Sequence, residues 1–99
     1  MTIQTQKQEK QLIVFLEGRL DTNSSPELEE YLKSRIDEIR ELVFDFEHLE
    51  YISSAGLRVL LAAQKQMNRQ GSMIVRNVSE PIREIFDVTG FCDILTIEA

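Results

Sequence analysis

The chain has 99 residues, a formal net charge of −6, 42% hydrophobic and 28% charged residues. That length predicts one domain, residues 1–99, with a single ordinary core, and the composition is that of a globular protein. The acidic balance argues against nucleic acid and anionic membranes as partners, because both require clustered Lys and Arg, and it is compatible with a basic or mixed protein surface. No apolar run approaches membrane-spanning length. The segment Met1 to Lys7 lacks the apolar core of a signal peptide. The lone Cys92 cannot close an internal disulfide, which predicts a reducing cytoplasm as the compartment.

In chain order, Ile3 to Gln6 alternates weakly and predicts an edge strand. Lys7 to Lys10 is polar and turn-like. Leu12 to Phe15 and Leu16 form a short β-branched and apolar run, a strand that Gly18 is expected to end. Asp21-Thr22-Asn23-Ser24-Ser25-Pro26 has loop chemistry and finishes as a helix start, with Ser24 or Ser25 as cap and Pro26 at the first helical position. Leu28, Tyr31, Leu32, Ile36 and Ile39 recur at helical spacing. Leu42 to Phe46 predicts the next strand, and His48 to Tyr51 a lead-in to the following helix. That helix is expected from Ser54 to about Asn68, apolar nearly all round in its first half, and stopped by Gly71. Met73 to Val75 predicts a strand. Ser79 should cap a helix carrying Ile82, Ile85, Phe86 and Val88, which Gly90 ends. Ile94 to Ile97 predicts a closing strand.

The first two strands, joined by a short polar turn, should be antiparallel. The later helix–strand alternation argues for a largely parallel sheet flanked by helices. The fold class is therefore α/β, a small mixed sheet and not a full doubly wound one.

The serine pair Ser53-Ser54, between an apolar strand and an apolar helix, is the chain's most informative feature. A serine at a helix start accepts a hydrogen bond from a free N–H of the first turn. The same end carries a partial positive charge, so a phosphate attached there meets little local penalty. On residue chemistry alone, capping is the commoner duty of such a pair. Asp21 reads as a turn residue, and Thr22 and Asn23 as solvated loop. Lone His48 has no companion ligands, so no metal site is expected. Cys92 reads as a buried small apolar residue. Asp45 and Glu47 read as a charged strand end, and Met67 and Met73 as core filler. Neither the P-loop nor the dinucleotide fingerprint occurs, and no cofactor is expected.

Gly18-Arg19-Leu20-Asp21, Asp45-Phe46 and Ile52-Ser53-Ser54-Ala55-Gly56-Leu57, in this order and spacing, resemble the STAS family, the sulfate-transporter and anti-sigma-factor-antagonist domain. The likeness runs over essentially the whole chain, including Phe86 to Phe91, and points to the free-standing bacterial antagonists. It implies a STAS-like sheet with helices and a non-enzymatic, monomeric binding protein. Its partners would be an anti-sigma factor serine kinase and a serine phosphatase. Set against Gly56, the phosphorylated serine of such antagonists falls on Ser54. The family's acidic position falls on Ser53 and its second hydroxyl on Ala55. Asp21 matches the aspartate of the loop beside the phosphorylation site. The resemblance thus implies a docking surface of Asp21, Thr22, Asn23, Ser53, Ser54, Ala55, Gly56 and Arg58, with Ser53 still serving as cap or turn residue. The departures at Ser53 and Ala55 keep a second reading open, a STAS subunit of another signalling or transport assembly in which Ser54 is structural.

Overall fold

A two-residue turn, Glu9-Lys10, folds the N-terminal strands back on each other in the computed structural model, which describes residues 1–98. Strand β1 (Thr2–Gln8) pairs antiparallel with β2 (Gln11–Leu20), as the polar turn predicts. Helix α1 (Ser25–Lys33) crosses to β3 (Glu41–Ile52), which lies parallel to β2. Helix α2 (Ser54–Gln70) crosses to β4 (Ser72–Arg76), parallel to β3. Helix α3 (Glu80–Thr89) and a single 3₁₀ turn, Phe91–Asp93, follow. The sheet order is β1-β2-β3-β4. This is the mixed α/β sheet the patterning implies.

Side chains alternate across a strand, so Leu12, Val14 and Leu16 of β2 share a face with Leu42, Phe44 and Phe46 of β3. That face meets Leu28 and Leu32 of α1, Leu60 and Met67 of α2, and Ile82 and Phe86 of α3 in one core. Phe46 lies between Phe44 and Phe86, with ring centroids 6.0 and 6.4 Å away. Asp45 points to the opposite face, where its buried carboxylate accepts from Arg76 Nε at 3.0 Å, Asn77 Nδ2 at 3.0 Å and the Glu47 N–H at 3.0 Å. It is a structural ion pair, where the sequence suggested a charged strand end.

Several expectations need correction. Gly18 does not end β2. With φ at +102° it sits between two register shifts against β3, and the strand runs on to Leu20. Both shifts put the extra residue on β3, so β2 keeps its own alternation through the glycine and continues pairing. His48 to Tyr51 is likewise strand, because β3 follows β2 to its end. Helix α1 closes at Lys33, so Ile36 and Ile39, both buried, lie in the turns that follow it. Of the expected closing strand, only an isolated bridge of Ile97 to Val75 forms. Ser79 occupies the N-cap of α3 without a side-chain cap bond. Cys92 is half-buried, and its thiol donates to Asp87 Oδ1 at 2.7 Å. The Asp87 carboxylate therefore pushes the thiol pKa up, leaving it protonated and a poor nucleophile.

Candidate functional site

The parallel strands β2 and β3 end side by side, with Leu20 paired to Ile52 and Arg19 to Tyr51. What each strand delivers at its end is therefore brought together. From β2 comes the loop Asp21 to Ser24, and from β3 the start of α2. A backbone bond joins them, Ser53 N–H to the Leu20 carbonyl at 2.9 Å.

Asp21 builds its own loop. Its Oδ1 accepts from the Asn23 N–H at 3.0 Å, the Ser24 N–H at 3.2 Å and the Ser24 hydroxyl at 3.2 Å. The Ser24 N–H, with the other donors and Arg19, outweighs the opposing effect of desolvation and holds the carboxyl below its ordinary pKa. Ser24 stands at the N-cap of α1, yet its hydroxyl turns back to the Arg19 carbonyl at 2.7 Å and to the Asp21 N–H. Ser25, the first residue of α1, is buried. Thr22 and Asn23 are exposed at the loop tip.

At the head of α2 the two serines divide the work. Ser53, in extended backbone and half-buried, is the N-cap, and its Oγ accepts from the Gly56 N–H at 3.4 Å. Ser54 is the first helical residue and is exposed, with the capping role taken by its neighbour. The first turn of α2 contains no acidic residue, whereas α1 and α3 have Glu27 and Glu80 there. No acidic side chain within its own first turn offsets the positive end of α2 beside the Ser54 hydroxyl.

Ala55 is half-buried and Arg58 exposed. Gly56 is buried, and its place in the site is beneath the surface. A Cβ there would lie 2.8 Å from both Ile52 Cγ1 and Leu20 Cγ. The missing side chain is what lets α2 seat against the two strand ends. One face of α2 stays in solvent, through Ser54, Arg58, Ala62, Lys65 and Arg69, so the helix is less enclosed than its apolar first half suggests.

Two further residues join this surface. Arg19 lays its guanidinium over the Tyr51 ring, 4.4 Å from the centroid, with Nε 3.7 Å from Asp21 Oδ2. Tyr51 is 38% exposed, one of the large hydrophobic side chains left in solvent. Sequence reasoning gave them no role. Their signal was register, since flanking the two motifs at matched strand ends makes them neighbours.

The STAS domain family model matches residues 2–99. This chain is a member of the STAS domain family. It is 34% identical over 99 residues to BtrV of Bordetella bronchiseptica, a candidate anti-sigma factor antagonist, covering 98% of this chain and 85% of that protein. It is 30% identical over 100 residues to the anti-sigma-B factor antagonist of Bacillus subtilis, covering 100% of this chain and 92% of that one. The fold also matches SpoIIAA, a Bacillus cell fate determinant solved in its phosphorylated form. There the TM-score is 0.77 at 19% identity, over 99% of this chain and 92% of that one. Among the described residues no helix is long and apolar enough to cross a membrane, and no cluster of three or more metal-ligating side chains occurs.

Proposed function

We propose that this STAS chain is an anti-sigma factor antagonist. It binds and sequesters a serine-kinase anti-sigma factor, which releases a sigma factor, and phosphorylation of Ser54 turns the binding off. The observation that carries this reading is the division of labour at the head of α2. Ser53 holds the cap, and the Ser54 hydroxyl is exposed at the positive end of a helix whose first turn has no acidic residue. The names of its full-length relatives support the class of function.

In the unmodified chain the Asp21 loop and the Ser54 turn present short side chains to the partner, with a neutral hydroxyl at Ser54. The partner kinase transfers the γ-phosphoryl group of ATP to Ser54 Oγ. A new O–P bond forms, the bond to ADP breaks, and the hydroxyl proton is lost. The product carries about −1.5 to −2 charges near neutral pH. Within this chain the helix terminus tolerates that charge. In an interface fitted to a neutral hydroxyl the same charge is desolvated without partners, at a cost of several kcal/mol. No change of fold is required. A serine phosphatase removes the group and restores binding.

Incubating the chain with the kinase and ATP, followed by mass spectrometric mapping, tests the assignment. Phosphate on Ser54 is expected, Ser54→Ala should bind yet resist modification, and Ser54→Asp should bind poorly. Phosphate on Ser53, or none, overturns it.

A further inference from the structure

The two edges of the sheet are finished differently. At the β4 edge the C-terminal segment comes alongside, with Val75 N–H to the Thr96 carbonyl and Glu98 N–H to the Val75 carbonyl, both at 2.9 Å. The β1 edge has no such cover. Among the described residues β1 makes no backbone bond outside its pairing with β2. A row of outward N–H and C=O groups is a template for another strand, which folded proteins blunt with proline, bulges, short length or charge. Strand β1 runs seven residues in unbroken register with β2, has no proline, and carries one charge, Lys7.

The helix beside this edge is charged unevenly along its length. Thr5, the middle residue of β1, shares a hydrogen bond between its hydroxyl and the Tyr31 phenol at 2.9 Å. Thr5 and Lys7 also line one groove with Ser34 and Arg35, so strand edge and helix flank are a single surface. Glu27 and Tyr31 of α1, and Arg35 in the turn that continues it, are four residues apart and share that flank, with Glu30 and Ser34 beside them. The end nearer the Asp21 loop thus holds Glu27 and Glu30. The end nearer the Glu9-Lys10 turn holds Lys7, Arg35, Asp37 and Glu38, and Asp37 Oδ1 is turned away to Gln66 Nε2 of α2 at 3.1 Å. With both carboxylates counted that end is neutral, against two negative charges at the other. Tyr31 is the midpoint, with the Arg35 guanidinium 3.6 Å over its ring.

We infer that β1 and this flank of α1 are the contact surface for a second copy of the chain, paired about a two-fold axis through Thr5. Strand β1 is antiparallel to β2, and α1 returns from the end of β2 to the start of its parallel neighbour β3. Strand and helix therefore run the same way, and one axis reverses both. Two four-stranded sheets become one continuous sheet. The register centred on Thr5 uses all seven residues of the edge. It sets Gln4 opposite Gln6 of the second copy, Thr2 opposite Gln8, and Lys7 opposite Ile3. The two lysines then stand about 14 Å apart, beyond the screening length at physiological salt. Because Thr5 is tied to Tyr31, the axis also passes the midpoint of the flank, and Glu27 of each copy meets Arg35 of the other. A foreign strand would pair with the edge but leave that reversed charge pattern without its complement, which is why the occupant is a second copy. One strand edge and one helix flank make a small interface, of the class below about 1,200 Å² that associates weakly. The monomer implied by the family resemblance becomes a monomer–dimer equilibrium. Ser54 lies at the end of β3, two strands inward, so both copies keep their Ser54 surfaces and the inference does not depend on how those are used.

Sedimentation equilibrium of the full chain, from micromolar to millimolar concentration at physiological ionic strength, tests this, with two-dimensional NMR to map the residues that respond. A concentration-dependent dimer is expected, with shifts confined to residues 2–8 and 27–35. Gln4→Lys with Gln6→Glu keeps the net charge and sets unlike charges opposite each other in this register alone, so it should tighten the dimer roughly fivefold. Gln4→Lys with Gln6→Lys sets like charges opposite and should weaken it about fivefold or more. Arg35→Glu should weaken it about threefold, and adding Glu27→Arg to that variant should bring it back to within about twofold of the unsubstituted chain. Lys65→Glu, on α2, is the control and should stay within about twofold. All five positions are exposed, and thermal unfolding checks that each variant is folded. A chain that stays monomeric to millimolar concentration, shifts that map elsewhere, or a Lys–Glu variant no tighter than the Lys–Lys one overturns the inference. So does a monomeric chain whose Lys–Lys variant loses the serine-kinase anti-sigma factor, since the edge then belongs to that partner.

Discussion

Gly56→Ala is the substitution whose effect can be worked most fully from the structure. The added methyl would sit 2.8 Å from Ile52 Cγ1, 2.8 Å from Leu20 Cγ and 3.0 Å from the Leu20 carbonyl oxygen. Carbon atoms in good contact are about 3.5–4.0 Å apart, so two contacts are short by the better part of an ångström. Neither neighbour can swing away, because Leu20 and Ile52 are 0% and 2% exposed and the clashing atoms are branch or mid-chain carbons. Moving α2 outward instead stretches the 2.9 Å bond from Ser53 N–H to the Leu20 carbonyl. Overpacking of this kind costs about 1–3 kcal/mol, and replacing glycine by alanine within a helix returns up to about 1 kcal/mol. With two strand ends opposed at once, a net loss of about 1–2 kcal/mol is expected. In a domain of this length that is a fall of roughly 5–15 °C in Tm. Urea unfolding followed by far-ultraviolet circular dichroism should show a lower midpoint at unchanged slope. A variant as stable as the parent, or more stable, refutes the close approach of α2 to β2 and β3 on which the site's geometry depends.

Asp45→Asn should destabilise the protein by about 1–3 kcal/mol at neutral pH, less than for a fully enclosed pair because Arg76 is partly exposed. Burial raises the Asp45 carboxyl, but the Glu47 N–H, Arg76 and Asn77 outweigh it and leave the pKa below the ordinary value. Such a group's contribution is present above the unfolded pKa of about 3.9 and is lost as pH falls through the folded one. Denaturation curves of parent and variant should therefore converge as the pH drops below about 4, and a constant gap would contradict the pairing. Asp21→Ala removes the acceptor that orders its loop, so amide hydrogen exchange at Asn23 and Ser24 should accelerate while the β3 core amides stay protected; unchanged exchange would show that the carboxylate does not hold the turn. Ser53→Ala should cost about 0.5–1 kcal/mol, at the lower end for a cap because its bond is long. Ser54→Ala should stay within about 0.5 kcal/mol. Reversal of that order in urea unfolding would mean the two serines have exchanged duties.

What the sequence reveals follows from how far each signal is local. Apolar runs and their punctuation locate the four sheet strands and three α-helices of the described residues. The polar turn at Glu9-Lys10 gives the antiparallel pair. The continuation of β2 past Gly18 is invisible because glycine in a strand pattern marks an end as readily as an interior position. The true length of β3 is hidden because its second half is strand only by pairing with β2. Ile36 and Ile39 imitate helical spacing because successive tight turns also return the chain every three residues. The exposed Ser54 is legible from the motif at a helix start. Arg19 against Tyr51 depends on parallel register across more than thirty residues, which no local pattern carries. The terminal run Ile94 to Ile97 has strand composition, but β4 offers it only a single bridge at Val75.

The central claim is that one exposed hydroxyl decides whether the partner docks. Its most direct test is the affinity of the serine-kinase anti-sigma factor for the unmodified chain and for the same chain stoichiometrically phosphorylated at Ser54. A desolvated, unmatched charge of about 4 kcal/mol predicts a weakening of roughly a thousandfold with an unchanged fold. Equal affinities for the two forms would contradict the account.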